Sequence, residues 1–150
     1  MLSRLSATVT DRIVFAITNL FNLLMVAIFI SRVRGVVHPP GVVMIWVVCI
    51  LLLTLVVMCH LKWKRSLWEI LLPVLFIVFL MLEVVLDYIL NLEFRSTWLL
   101  GPYLLLYYLS IMGMVGYTFR IGKKYGAITL VTYFLSQIAA IYSYVNVGHG

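Results

Sequence analysis

LWEILLPVLFIVFLMLEVVLDYILNLE, residues 67–93, decides the fold. A hydrocarbon core about 30 Å thick needs about 20 apolar residues of helix to cross it, and this run supplies them. Ser66 and Glu69 stand in the S-x-x-E arrangement of a capping box, which starts the helix and gives Glu69 a structural role. Pro73 lacks an N–H, so it should kink the helix and leave the Glu69 carbonyl without its helical partner. Glu83 and Asp87 follow one turn apart. A carboxylate near the bilayer centre costs about 2.5–3.5 kcal/mol, so both should face protein, water or a ligand.

The rest of the chain fits the same solvent. Hydrophobic residues make up 65% of it and charged residues 11%, against about 25% charged in a soluble domain. Too little polar surface remains to cover a globule in water. The net charge of +6 does not point to nucleic acid, because the basic residues sit in short clusters between apolar runs. A transmembrane barrel would need alternating segments of about ten residues. Cys49 and Cys59 lie about 15 Å apart on one helix, too far to bridge, and read as buried free thiols.

Outward from residues 67–93, four more runs emerge, giving an all-α polytopic membrane protein. The five transmembrane helices are expected at about 13–31, 42–61, 67–92, 98–119 and 125–147. Asp11 fits the N-cap of the first. His38-Pro39-Pro40-Gly41 makes a turn before the second, and Arg120-Ile121-Gly122-Lys123-Lys124 separates the last two. The N-terminus, second loop and fourth loop carry Arg4, Arg12, Lys62, Lys64, Arg65, Arg120, Lys123 and Lys124; the opposite side carries Arg32, Arg34 and Arg95. By the positive-inside rule the N-terminus is cytoplasmic and the C-terminus outside, in a multi-pass protein of the inner cell membrane. The loops leave no room for a soluble domain, so a single transmembrane domain is expected.

All nine tyrosines lie in the second half of the chain. Tyr117 and Tyr125 suit the headgroup belt, as do most of the tryptophans, Trp46, Trp63, Trp68 and Trp98. Tyr107 and Tyr108 fall near the middle of the fourth span, where a hydroxyl needs a partner. Glu83, Asp87 and Asn91 form an i, i+4, i+8 stripe. Tyr103, Gln137 and Tyr144 occur at compatible depths. Thr129, Thr132, Ser136, Ala140 and Ser143 give the fifth span a small-residue face for close packing, and Gly113 and Gly116 offer the same in the fourth.

Some chemistries lose ground. His38, His60 and His149 sit in loops, tails or borders, which disfavours a two-histidine haem site. No zinc-protease, phosphate-loop or nucleophile-elbow motif occurs. Neither a catalytic residue, nor a metal ligand, nor a cofactor is assigned. Five spans at this length match the tryptophan-rich translocators in span count alone, without their motifs. The leading expectation is a polar, aromatic-lined cavity of helices 3–5 that binds or moves a small amphipathic or lipid-like molecule. Glu83, Asp87, Asn91, Tyr103, Tyr107, Tyr108, Gln137 and Tyr144 would line it. The alternatives are a non-catalytic subunit or assembly factor with a membrane-protein partner or second copy, a proton-coupled carrier, and a membrane-embedded enzyme using the acid pair. A purely structural reading has Glu83 bonded to Tyr107 or Gln137.

Overall fold

A computed structural model describes residues 7–36, 41–90 and 97–147. Five helices carry them: α1 Ala7–Val33, α2 Val42–Lys62, α3 Leu67–Glu83 with a π-helical continuation Val84–Ile89, α4 Leu100–Ile121 and α5 Lys123–Val147. All five are long and apolar enough to cross a membrane, the makeup of a multi-pass membrane protein. Asn91, Glu93, Arg95, His38 and His149 lie outside the described residues, as does the end expected for the third span.

The buried positions explain how the helices associate. On α2 they are Val42, Trp46, Cys49, Leu53, Val56 and His60, with Cys59 alongside, alternating in steps of four and three. That spacing is the seam that lets helices lie side by side at shallow angles. The same spacing recurs in Phe76, Leu80, Glu83 and Asp87 of α3. Phe21, Trp46, Phe76 and Phe79 meet in the centre, with Phe21 5.1 Å from both Trp46 and Phe76, ring centre to ring centre. Trp46 is thus a core residue and not a headgroup anchor; Trp68 and Trp98 are exposed. Both cysteines are free and buried.

Around the bundle the order is α1, α2, α3, α4, α5, with α5 closing onto α1 and α1 also touching α4. The α1–α5 pair is the most extensive, and small side chains make it so. Thr129, Ser136 and Ser143 of α5 are fully buried. Asn19 Nδ2 of α1 donates to Thr129 Oγ1 at 3.0 Å, Thr132 Oγ1 donates to Asn19 Oδ1 at 2.8 Å, and Asn22 Nδ2 donates to Thr132 Oγ1 at 3.0 Å. The expected small-residue face therefore exists, and α1 occupies it. Gly126 approaches Phe119 so closely that a Cβ there would stand 2.2 Å from the ring. Gly113 faces Leu72, whereas Gly116 opens onto free space.

Candidate functional site

Helix α3 carries a polar centre at each end. At its far end Glu83 and Asp87 are 5% and 4% exposed. Between them the helix widens: the Leu90 N–H reaches back five residues to the Val85 carbonyl at 2.8 Å. Such π-turns are rare and frequently found at functional sites. Tyr103 of α4 donates its hydroxyl to Glu83 Oε2, so the partner is a tyrosine one turn before Tyr107, and not Tyr107 or Gln137.

The remaining site candidates do not join this pair. α4 lies between α3 and α5 in the order of packing. Gln137 Nε2 donates to Tyr107 Oη at 3.0 Å, and Tyr108 Oη reaches Gln137 Oε1 at 3.4 Å. These three make a second set on the α4–α5 seam. The ring of Phe79 touches both sets, 5.8 Å from Tyr103 and 5.5 Å from Tyr107. Tyr107 is buried while Tyr108 is 44% exposed, and Tyr144 is exposed on a different part of α5.

Two shallow apolar grooves mark the surface. One of about 340 Å³ is lined by Val78, Met81, Leu82, Val85 and Leu106. At 3.6 residues per turn its α3 face is centred roughly 140° away from Glu83. The other, of about 260 Å³, is lined by Ala127, Ile128, Val131 and Thr132. None of the seven candidate residues that are described lines either.

The opposite end of α3 holds a cluster that type-by-type reading of the sequence misses. Helix α1 begins before the apolar run, so Asp11 is not its cap but lies in its second turn. Arg65, on the α2–α3 connection, bonds Asp11 Oδ2 at 3.3 Å and Glu69 Oε1 at 3.0 Å. Glu69 Oε2 accepts the Ser66 N–H and hydroxyl, each at 3.0 Å, which is the expected capping arm. Arg120 from α4 reaches Ser66 Oγ at 3.2 Å and Glu69 at 3.7 Å.

Tyr117 and His60 complete this centre from inside. Tyr117 is buried, not in the headgroup belt, and donates to Asp11 Oδ1 at 2.8 Å. His60 is fully buried with Nδ1 3.0 Å from the Glu69 carbonyl, the one released by Pro73. The freed carbonyl is legible from the proline; the histidine that takes it is not. Four helices thus converge through one connected set of bonds. Among the described residues no three His, Cys, Asp or Glu side chains form a metal-holding group. Comparisons with protein-family models, curated proteins and solved structures return no match.

Proposed function

We propose that the protein is a non-catalytic subunit of a membrane assembly whose α4–α5 face receives a transmembrane helix of a partner protein. In this reading the N-terminus is cytoplasmic and the host is the inner membrane. Tyr108 and Gln137 carry the proposal. They lie near the middle of α4 and α5, and Tyr108 is 44% exposed with its hydroxyl 3.4 Å from Gln137 Oε1. Polar groups at that depth gain from an interhelical bond, worth about 0.6–2 kcal/mol in lipid. The test is purification in mild detergent. A partner should accompany the wild type, and Tyr108→Phe with Gln137→Leu should weaken its retention about 3- to 30-fold. A wild-type protein that is stable and solitary in nanodiscs refutes the reading.

The π-turn favours a second reading. Glu83 and Asp87, with Tyr103 beside them and Asn91 beyond the described residues, would take the basic group of a small amphipathic or lipid-like molecule. Tyr107, Tyr108, Gln137 and Tyr144 would then serve other faces of the bundle. Long-chain alkylamines should raise the melting temperature where alcohols of the same chain do not, and Glu83→Gln or Asp87→Asn should abolish the difference. Equal effects of amine and alcohol dispose of it.

A further inference from the structure

The cluster at the start of α3 contains an arrangement with one proton too few. The Glu69 carbonyl can only accept, so the 3.0 Å contact places a proton on His60 Nδ1. The neutral imidazole then presents a bare Nε2. That nitrogen faces Tyr117 Oη at 3.4 Å. Tyrosine has a single hydroxyl proton, and the Asp11 carboxylate claims it at 2.8 Å. Two lone pairs therefore face each other in a buried space, between rings that lie nearly parallel, 10° apart.

We propose that His60 Nε2 is a proton-binding site, loaded from the basic end of the bundle through Asp11 and Tyr117. Asp11 is the entry because its side chain is 19% exposed, whereas His60 has no exposure. A proton arriving on Asp11 makes it a donor to Tyr117 Oη. Tyr117 passes its own proton to His60 Nε2 and takes the one from Asp11. The products are an imidazolium, a neutral tyrosine and a carboxylate, so protons and charge balance.

Each helix packed here contributes to the setting. Asp11 comes from α1, the Glu69 carboxylate from α3, Tyr117 from α4, and Arg65 from the connection after α2; Arg120 adds its charge beyond Glu69. Two carboxylates against two guanidiniums make the cluster neutral before loading, and it carries one net positive charge after it, with Asp11 the carboxylate bonded to Tyr117. Before loading, Tyr117 joins α4 to α1 alone. After loading, Nε2–H donates to Tyr117 Oη, so the same hydroxyl also joins α4 to α2. The proton acts as a latch between helices that are otherwise joined here by packing.

Nuclear magnetic resonance of ¹⁵N-histidine in the full chain in nanodiscs tests this directly. The sequence has three histidines, so His60→Asn assigns the signal. The neutral form should carry its proton on Nδ1 and convert to the doubly protonated ring between about pH 5 and 8. Asp11→Asn and Tyr117→Phe should each move the midpoint to lower pH, by about one unit for the lost carboxylate. Pro73→Ala restores an N–H to the Glu69 carbonyl and should shift the neutral ring toward the Nε2–H form. A wild-type neutral ring protonated at Nε2, no titration in that range, or a midpoint unmoved by both variants overturns the proposal.

Discussion

Arg65 joins two carboxylates from different helices, and replacing it with methionine has a calculable cost. Its side chain is 20% exposed, and the Asp11 and Glu69 it joins are 19% and 16% exposed. An exposed pair contributes about 0.2–1 kcal/mol, and stranding a fully buried partner costs about 3–5 kcal/mol. Tyr117 and Ser66 still hold the two carboxylates after Arg65 is removed, so Arg65→Met should cost about 2–3 kcal/mol. At about 2–4 °C per kcal/mol for a chain of this size, melting should fall by about 4–12 °C. The buried thiols of Cys49 and Cys59 supply the assay, since a thiol-reactive dye reports their exposure on unfolding. Adding Asp11→Asn should recover part of the loss, because one of the two stranded charges is gone. Burial pushes the Arg65 guanidinium down, but Asp11 and Glu69 outweigh it and hold it above its ordinary range. Its contribution is therefore full at neutral pH and is lost in strong alkali, as pH rises through that raised value. Acid removes it from the other side by protonating Glu69, whose carboxyl burial pushes up but Ser66 and Arg65 hold below its ordinary range. An unchanged melting temperature refutes this reasoning. So does a larger loss from Arg120→Met, whose side chain is 51% exposed and only 3.7 Å from Glu69.

Other outcomes follow from the packing. Gly126→Ala should destabilise by about 1–3 kcal/mol through collision with Phe119, and Phe119→Ala in the same chain should relieve it, both read by dye melting. Asn19→Ala should cost more than Asn22→Ala, because Asn19 uses both its amide nitrogen and its oxygen in bonds while Asn22 Oδ1 is buried without a partner. Tyr103→Phe should lower stability by about 1–3 kcal/mol by depriving Glu83 of its hydroxyl donor, and Glu83→Leu combined with it should cost less than the sum of the two single changes.

The five helices were legible because crossing a bilayer demands a length and an apolarity that register directly in residue order. Local chemistry was legible too: the Ser66–Glu69 cap, the carbonyl released by Pro73 and the small face of α5 all follow from residue type and spacing. Rotation and neighbours were not. Lipid is as apolar as the bundle interior, so no hydrophobic contrast tells the buried side of α2 from its outer side. Reading depth alone groups Glu83 with Gln137, whereas α4 stands between their helices. Reading type alone sends Trp46, Tyr117 and His60 to the headgroups, although each is buried. Asp11 misleads in a related way: α1 includes Ala7, ahead of the apolar run, so the acid becomes a second-turn ligand for Arg65. No residue in VVLDYI announces the π-turn.

The pairing of α1 with α5 has a consequence for biogenesis. The amides of Asn19 and Asn22 acquire their threonine partners only from the fifth helix, which leaves the ribosome after the other four. Until it arrives, Asn19 has only the Phe15 carbonyl of its own helix, at 2.8 Å, and Asn22 lacks its threonine, so α1 should stay at the translocation machinery and not settle among acyl chains. Shortened chains ending before α5 should therefore be held back or degraded, making the α4–α5 hairpin a checkpoint for this bundle.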